Sequence, residues 1–396
     1  MTERLYLLLL SSGTILLTWC VAAAVLVGLG LFVRRLAGAR AWSGRRGHEA
    51  LWLGVAVTLA VLQAWHLLRP IDDAAVALLT VLGMAGLAWH ARPLVRWARA
   101  AGPARWGTLL VVLVVGAWLA NRAIVSVTVW DTKMYHINSV RWAERYPVVP
   151  GIGNLQRNIA FNNANHLYDA LFHRGYWHRR GQHAAQGVLL WAVLIRSVLA
   201  WRTLWRRRGR AAGLTEVYYA LLPPPLVLMA INTEAASFSS DLPAGLLTLV
   251  LVGQVLAVCG RGWRAAVVPE RALTVWALGA AAVCVKLSSV AIAGASGAAV
   301  LAWALMGPQS WRQRGRWVLL AVAVGVLWLG PWMARGVMMS GYPLFPLTLA
   351  PMPVDWRVPA AWLERTQMVI DRYARGLPLP GGEATMWGTM ADAYWK

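Results

Sequence analysis

The sequence predicts an all-α, polytopic integral membrane protein with about ten transmembrane helices and two longer outward-facing segments. Three observations predict it. Of 396 residues, 59% are hydrophobic and only 14% are charged, with a mean hydropathy of +0.52, whereas a soluble chain carries about 25% charged residues. The apolar residues gather in runs near the ~20 residues that span a ~30 Å hydrocarbon core. Finally, 38 Lys and Arg against 16 Asp and Glu leave a net charge of +22, and these cations collect in alternate connections between the runs. A soluble chain this basic would point to nucleic acid. In an apolar one, orientation in the bilayer accounts for the charge, and no nucleic-acid partner is expected. A disulfide framework is excluded too, because Cys20, Cys259 and Cys284 all lie in apolar runs.

The first run, 5–32, is uncharged and too long for the core of a secretory signal. Runs follow at 50–68, 74–89, 107–129, 185–201, 214–231 and 242–259. The stretch 272–306 would measure ~52 Å as one helix at 1.5 Å per residue, too long for one crossing. A break near 286–289 resolves it into two, and 317–339 makes a tenth. Pro223-Pro224-Pro225 and Pro331 are expected to kink the sixth and tenth helices, because each proline removes a backbone donor. The chain thus divides into four N-terminal helices (1–129), an outward loop with short helices (130–184), about six further helices (185–339) and an outward C-terminal segment (340–396).

The connections 33–49, 90–106, 202–213, 260–271 and 307–316, with Glu216 beside them, hold 20 Arg and three acids. The opposite side holds 15 cations and 13 acids, and Arg122, Arg196 and Lys286 remain within helices. The basic side is therefore assigned to the cytoplasm of a bacterial inner membrane, with both termini and the long loop outward. Splitting 272–306 keeps this alternation intact.

The two outward segments exceed the ~15 residues beyond which loops are usually functional or disordered. The first is dense in aromatics, Pro, Gly and Asn, and holds five of the eight histidines: His136, His166, His173, His178 and His183. It opens with Trp130-Asp131-Thr132-Lys133-Met134-Tyr135-His136. A helix from Thr132 onward puts Tyr135, Ser139 and Trp142 on one face and leaves Asp131 at the N-cap. Two roles stay open for Asp131: a backbone cap, or a carboxylate held at the water–lipid boundary as general base or metal ligand. His136 is a candidate for acid–base work or hydroxyl binding. The histidines show no HxxxH or HExxH spacing, and His166 and His173 could at most share a helix face, so no metal site is assigned.

A charge inside a membrane helix costs at least ~2.5 kcal/mol on insertion scales and marks a functional candidate. Lys286 is too deep to snorkel; it either meets a ligand or forms a structural pair with Asp241 or Glu234. Snorkelling fits Arg196, near the cytoplasmic end. For Arg122 and Arg335, near outer helix ends, snorkelling and an anionic ligand stay equally open. Asp241 reads first as a helix cap and second as a group that orients an acceptor hydroxyl. The 25 tryptophans mostly flank helix ends as interfacial anchors, and Trp130, Trp142 and Trp356 are placed where they could stack on sugar rings.

Trp130-Asp131-Thr132-x-x-Tyr135-His136, Arg141-Trp142, Val148-Val149-Pro150-Gly151-x-Gly153-Asn154-Leu155 and Ala160-Phe161-Asn162 resemble, in this order, a poorly characterised family of bacterial polytopic membrane proteins. The likeness continues with Ser240-Asp241-Leu242-Pro243, Lys286-Leu287-Ser288 and Pro331-Trp332-x-x-Arg335. It ends with Ser340-Gly341-Tyr342-Pro343-Leu344-Phe345-Pro346 and Val354-Asp355-Trp356-x-Val358-Pro359, while the stretch Gln156-Arg157-Asn158 departs from it. That family is in turn similar to the GT-C membrane glycosyltransferases, which take a sugar from a polyprenyl-phosphate carrier. The resemblance implies a GT-C-like fold, a polyprenyl-phosphate-linked sugar as donor and an envelope acceptor at the outer face. In GT-C enzymes an acidic residue in an outward loop near a helix end serves as catalytic base or metal contact. This implies Asp131, with Tyr135 and His136 beside it, and leaves a divalent metal open as a cofactor. A glycosyl phosphate leaves as an anion, so Arg335, Lys286 and Arg122 are the implied phosphate contacts, and Asp241, Asn154 and Asn162 the implied acceptor or orienting groups. Many GT-C enzymes continue into further helices or a soluble domain beyond the point where this chain stops.

Three functions compete at this level: the glycosyltransferase-like enzyme, a transporter or lipid flippase with Lys286 and Arg122 along its path, and a non-enzymatic component of polysaccharide assembly. Transporters commonly show paired internal repeats. The halves of this chain show none, which favours the first.

Overall fold

The computed structural model describes residues 2–37, 44–99, 102–127, 129–207, 213–232, 234–260, 269–306 and 310–377. Parts of the basic loops and the tail after 377 lie outside these residues, as does the side chain of Glu234. Among the described residues the chain is helical without strands. In order it forms α1 (Thr2–Leu36), α2 (Gly44–His66), α3 (Asp73–Trp89), α4 (Ala91–Arg99), α5 (Pro103–Arg122), α6 (Ile137–Arg145), α7 (Ile152–Leu155) and α8 (Asn165–Phe172). There follow α9 (Gly187–Arg207), α10 (Leu214–Ala220), α11 (Pro223–Ile231), α12 (Asp241–Cys259), α13 (Pro269–Val285), α14 (Val290–Met306), α15 (Trp311–Ser340) and α16 (Ala360–Ala374).

Among the described residues, seven helical segments are long and apolar enough to cross a membrane: Tyr6–Leu36, Gly47–His66, Gly181–Arg207, Leu214–Ile231, Asp241–Cys259, Leu287–Met306 and Trp311–Ser340. Asp73–Trp89 and Trp106–Arg122 are apolar but shorter, and α13 has 17 residues. Helices thus occupy all ten expected runs, of which seven meet the length of a span. Leu7, Leu9, Leu17, Val81, Leu110, Val114, Leu319 and Val326 are exposed on the outside of these helices, a surface compatible with a bilayer. The long apolar stretch is interrupted as its length demands: α13 ends at Val285, a 3₁₀ turn covers Leu287–Ser289, and α14 starts at Val290. The proline triplet separates α10 from α11, whereas α15 continues through Pro331.

The chain forms two compact units, Met1–Val148 with Asn163–Trp332, and Val149–Asn162 with Met333–Lys396. In the first unit α1 packs on α2 and α3. Lipid tails are as apolar as leucine, so membrane helices associate by close packing over small residues. A Cβ on Gly30 would collide with the Ala50 carbonyl of α2, and one on Gly28 with the Gly83 carbonyl of α3.

The three acids on the basic side all have work. Arg34, at the end of α1, bonds Glu49 of α2 at 3.2 Å and Glu270 of α13 at 2.6 Å, with its side chain only 5% exposed. Glu49 also lies 3.9 Å from Arg271. Arg196 is buried, 3.6 Å from Glu216 and stacked 4.4 Å over the Tyr219 ring. Snorkelling, expected for Arg196, is therefore corrected: a carboxylate from the next helix reaches it inside the fold.

The tryptophans need a correction too. Trp19, Trp52, Trp191, Trp276, Trp303, Trp317, Trp328 and Trp332 are buried. Several donate their indole N–H to a carbonyl elsewhere in the first unit: Trp19 to Ala184 (2.7 Å), Trp191 to Val112 (3.1 Å), Trp276 to Gly297 (3.1 Å) and Trp328 to Ala56 (2.8 Å). A buried indole needs such an acceptor, so these residues pin helices together instead of marking the membrane boundary.

The second unit joins motifs that lie far apart in the sequence. Gly151 donates to the Met338 carbonyl (2.8 Å), Val358 to Ser340 (2.9 Å) and the Asn154 amide to the Trp356 carbonyl (2.7 Å). The Tyr342 hydroxyl donates to Val358 (3.2 Å), and Phe161 packs on Phe345 with ring centroids 5.8 Å apart. Gly151 has φ +70°, and a Cβ there would press on Trp356, so glycine is required on both counts.

Gly30→Val is expected to cost about 1–3 kcal/mol or more by overpacking, read as a lower melting temperature in detergent. Gly13, with nothing within 4 Å of its would-be Cβ, is the control: Gly13→Val should change stability by no more than about 0.5 kcal/mol.

Candidate functional site

The candidate site lies within the first unit, in the opening of the 130–184 loop and the break between α13 and α14. Val148 donates to the His66 carbonyl at the end of α2, and Ile71 to Ala143 of α6, both at 2.8 Å. Ala164 donates to the Cys284 carbonyl at 3.0 Å, two residues before Lys286. These backbone bonds carry α6 and α8 to the α12–α13–α14 region.

Asp131 does not cap a helix. It is itself helical (φ −60°, ψ −28°), its side chain makes no capping bond, and it leads into a π-helical turn, Thr132–His136, that passes into α6. The capping role is thus corrected. Single π turns inside α-helices are uncommon and occur often at functional sites. Here the turn leaves Asp131 and Tyr135 half-buried and encloses Thr132 and His136. The Ser139 hydroxyl back-bonds to the Tyr135 carbonyl at 3.0 Å.

Lys286 stands in the extended residue between α13 and the 3₁₀ turn (φ −151°, ψ 118°). Its ammonium pairs with Asp241, the first residue of α12. Asp241 makes no cap; its own N–H donates to the Ser239 hydroxyl oxygen at 3.2 Å. The pair therefore answers for both residues: Lys286 has a carboxylate partner and Asp241 a cation.

Asp131, Tyr135 and His136 all feel this pair. Burial raises the Asp131 carboxyl above its ordinary range, the Asp241 carboxylate raises it further, and Lys286 partly offsets both. Burial, with Asp131 and Asp241, also pushes the Tyr135 hydroxyl up, so it stays protonated. His136 is lowered to about 4, first by burial; Asp241 opposes the shift and Lys286 adds to it. At neutral pH the site thus holds a carboxylate poised to take a proton, a neutral imidazole, a phenol and an ammonium.

Other sequence-derived residues lie elsewhere. Arg122 donates to the Ile231 carbonyl at the end of α11 (3.0 Å). Arg335 belongs to the second unit and is buried. Asn154 fastens the Trp356 segment, and Asn162 is buried with φ 56°, a left-handed position that asparagine tolerates. Of the tryptophans proposed for sugar stacking, Trp130 is exposed, while Trp142 and Trp356 are half-buried.

The donor set does not fit a metal. Among the described residues no three His, Cys, Asp or Glu side chains converge on one point, and the cation beside Asp241 is already the Lys286 ammonium. His166 and His173 take separate partners: His166 Nδ1 lies 3.5 Å from Asp169, and His173 Nδ1 lies 2.7 Å from Glu144.

Sequence reasoning missed Asp169, Asn165 and Gln186. The Asn165 and Gln186 amides donate to the two oxygens of Asp169 at 2.9 and 2.8 Å, and the carboxyl is fully enclosed. The spacing Asn165, His166, Asp169 on one short helix was the available signal.

A family model described as a domain of unknown function (DUF8201) matches residues 14–390. The chain belongs to this family. The match takes in most of α1 and all the later helices. Comparison with curated proteins finds no match, and comparison with solved structures finds none.

Asp131 should titrate above the ordinary carboxylate range. Asp241→Asn removes a repelling charge and should lower its midpoint; Lys286→Gln removes an attracting one and should raise it. Carboxyl-carbon NMR of the purified protein checks both signs, and unmoved midpoints in both variants would contradict the arrangement.

Proposed function

We propose that the chain is a GT-C-like membrane glycosyltransferase that moves a sugar from a polyprenyl-phosphate donor to an envelope acceptor at the outer face of the inner membrane. This reading takes all ten helical runs as spans, with the arginine-rich loops cytoplasmic and both termini outward. What supports it is the electrostatic influence of the Asp241–Lys286 pair, at a helix break, on the Asp131 carboxyl, beside helices apolar enough to hold a lipid tail.

In this reading the acceptor hydroxyl oxygen attacks the anomeric carbon of the donor sugar. The bond from that carbon to the phosphate oxygen breaks, and polyprenyl phosphate leaves with the electron pair. Asp131 takes the hydroxyl proton, and its raised affinity for protons makes it a better base than an ordinary carboxylate. Lys286 meets the departing phosphate, since an ammonium has three donors and can serve Asp241 and the phosphate together. Asp241 holds that ammonium in place and orients the acceptor, with Tyr135 and His136 as hydroxyl contacts. The remaining guanidinium donors of Arg122 are a further phosphate contact.

Asp131→Asn should express and insert normally and lose at least about 100-fold in sugar transfer from lipid-linked donor, the scale of a missing general base. Transfer equal to the unaltered protein would overturn the proposal.

A further inference from the structure

One fully enclosed carboxylate takes no part in the proposed reaction. Asp169 Oδ2 accepts from Asn165 Nδ2 at 2.9 Å and Oδ1 from Gln186 Nε2 at 2.8 Å. His166 Nδ1 stands 3.5 Å from Oδ2. The His166 ring lies 5.0 Å from the His136 ring, tilted by 40°. His136 Nδ1 lies 3.3 Å from the Thr132 hydroxyl, and its ring meets Tyr135 edge-on at 4.3 Å. A continuous line of polar groups thus runs from the interior of the first unit to the π turn that presents Asp131.

We propose that Asp169 and His166 hold one proton between them and act as a positioning pair that fixes His136 as a neutral imidazole beside the Asp131–Asp241–Lys286 cluster. The geometry of Asp169 argues for it. Both oxygens receive amide N–H groups, an arrangement that suits an anion. An isolated anion with no exposure would be too costly, and the nearest group able to compensate it is His166. Removing the shared proton would leave a bare buried carboxylate. Adding a second would leave an uncompensated imidazolium against His136. The pair therefore keeps a net charge of zero, in either internal arrangement of its proton, across the neutral range. Burial drives the Asp169 carboxyl up while its two amide donors pull it down, in keeping with a proton held in common.

The elements packed on α8 are α6, α2 and the turn Gly181–His183. Of their titratable groups, Glu144 is engaged by His173 at 2.7 Å, and His183 Nδ1 donates to the Ala123 carbonyl at 2.7 Å. Arg141 and Arg145 are exposed on α6, and His66 ends α2. On the far side, His136 feels Asp241 and Lys286. Burial and the Lys286 ammonium both disfavour a cationic His136, and the opposing Asp241 carboxylate does not outweigh them, so the neutral ring is the stable one.

This inference goes beyond sugar transfer and is tested without it. The full chain, labelled with ¹⁵N at its histidine rings and held in nanodiscs, is titrated from roughly pH 5 to 8. Resonances are assigned with His136→Gln and His166→Gln. The ring nitrogens of His136 are expected to stay at neutral-imidazole shifts throughout, and those of His166 to stay constant. Asp169→Asn should shift the resonances of both rings, while Asn165→Ala, which leaves the carboxylate, should shift them less. Titration of His166 as an isolated group with a midpoint near ~6.5 would overturn the proposal, as would a His136 signal that ignores Asp169→Asn. Should Asp169→Asn fail to fold, the titration of the unaltered protein decides alone.

Discussion

The Lys286–Asp241 ion pair is the interaction on which the rest of the site depends. A long apolar stretch must break to cross a bilayer, and it breaks at Lys286, where the extended backbone frees the side chain from either helix. Asp241, at the first turn of α12, meets it there. The pair ties the first turn of α12 to the break between α13 and α14. Burial comes first in the electrostatics of Asp131, Tyr135 and His136; Asp241 then acts on all three, and Lys286 on Asp131 and His136.

A second constraint is the economy of charge at the opposite end of the helices. The arginine-rich connections hold few acids, and Glu49, Glu216 and Glu270 meet Arg34, Arg196 and Arg271. Arg34 alone links α1, α2 and α13. Glycine contacts bring α1 close to α2 and α3, and indole donors cross from one helix to the next. None of these devices relies on the hydrophobic effect, which gives little drive between helices within lipid. The fold is held by packing of small residues, hydrogen bonds and ion pairs.

The helices were legible because apolar runs of bilayer length leave few alternatives, and the break at Lys286 because its charge stands out against uncharged neighbours. Asp241 as its partner was already among the alternatives, since a lysine within an apolar stretch narrows the choice to nearby acids. What was illegible depends on contacts across the chain. A tryptophan at a membrane boundary and one inside a bundle look alike in sequence. Arg196 reads as snorkelling until Glu216, 20 residues on, folds against it. The π turn has no composition of its own, so Asp131 reads as a cap. Asp169 hides among five histidines because its partners come from both its own helix and Gln186, 17 residues away. The motifs around Gly151, Gly341 and Trp356 look like separate fragments, yet they are one small unit whose strands of backbone bond to each other over about 200 residues of sequence.

The central claim is that Lys286 and Asp241 act as a unit in the folded protein. A double-mutant cycle on thermal stability, using Asp241→Asn, Lys286→Gln and the combination, measures this directly. If the account holds, each single change destabilises the protein and the double change costs less than their sum, with a coupling of at least about 0.5 kcal/mol. Strict additivity of the two single effects would contradict it.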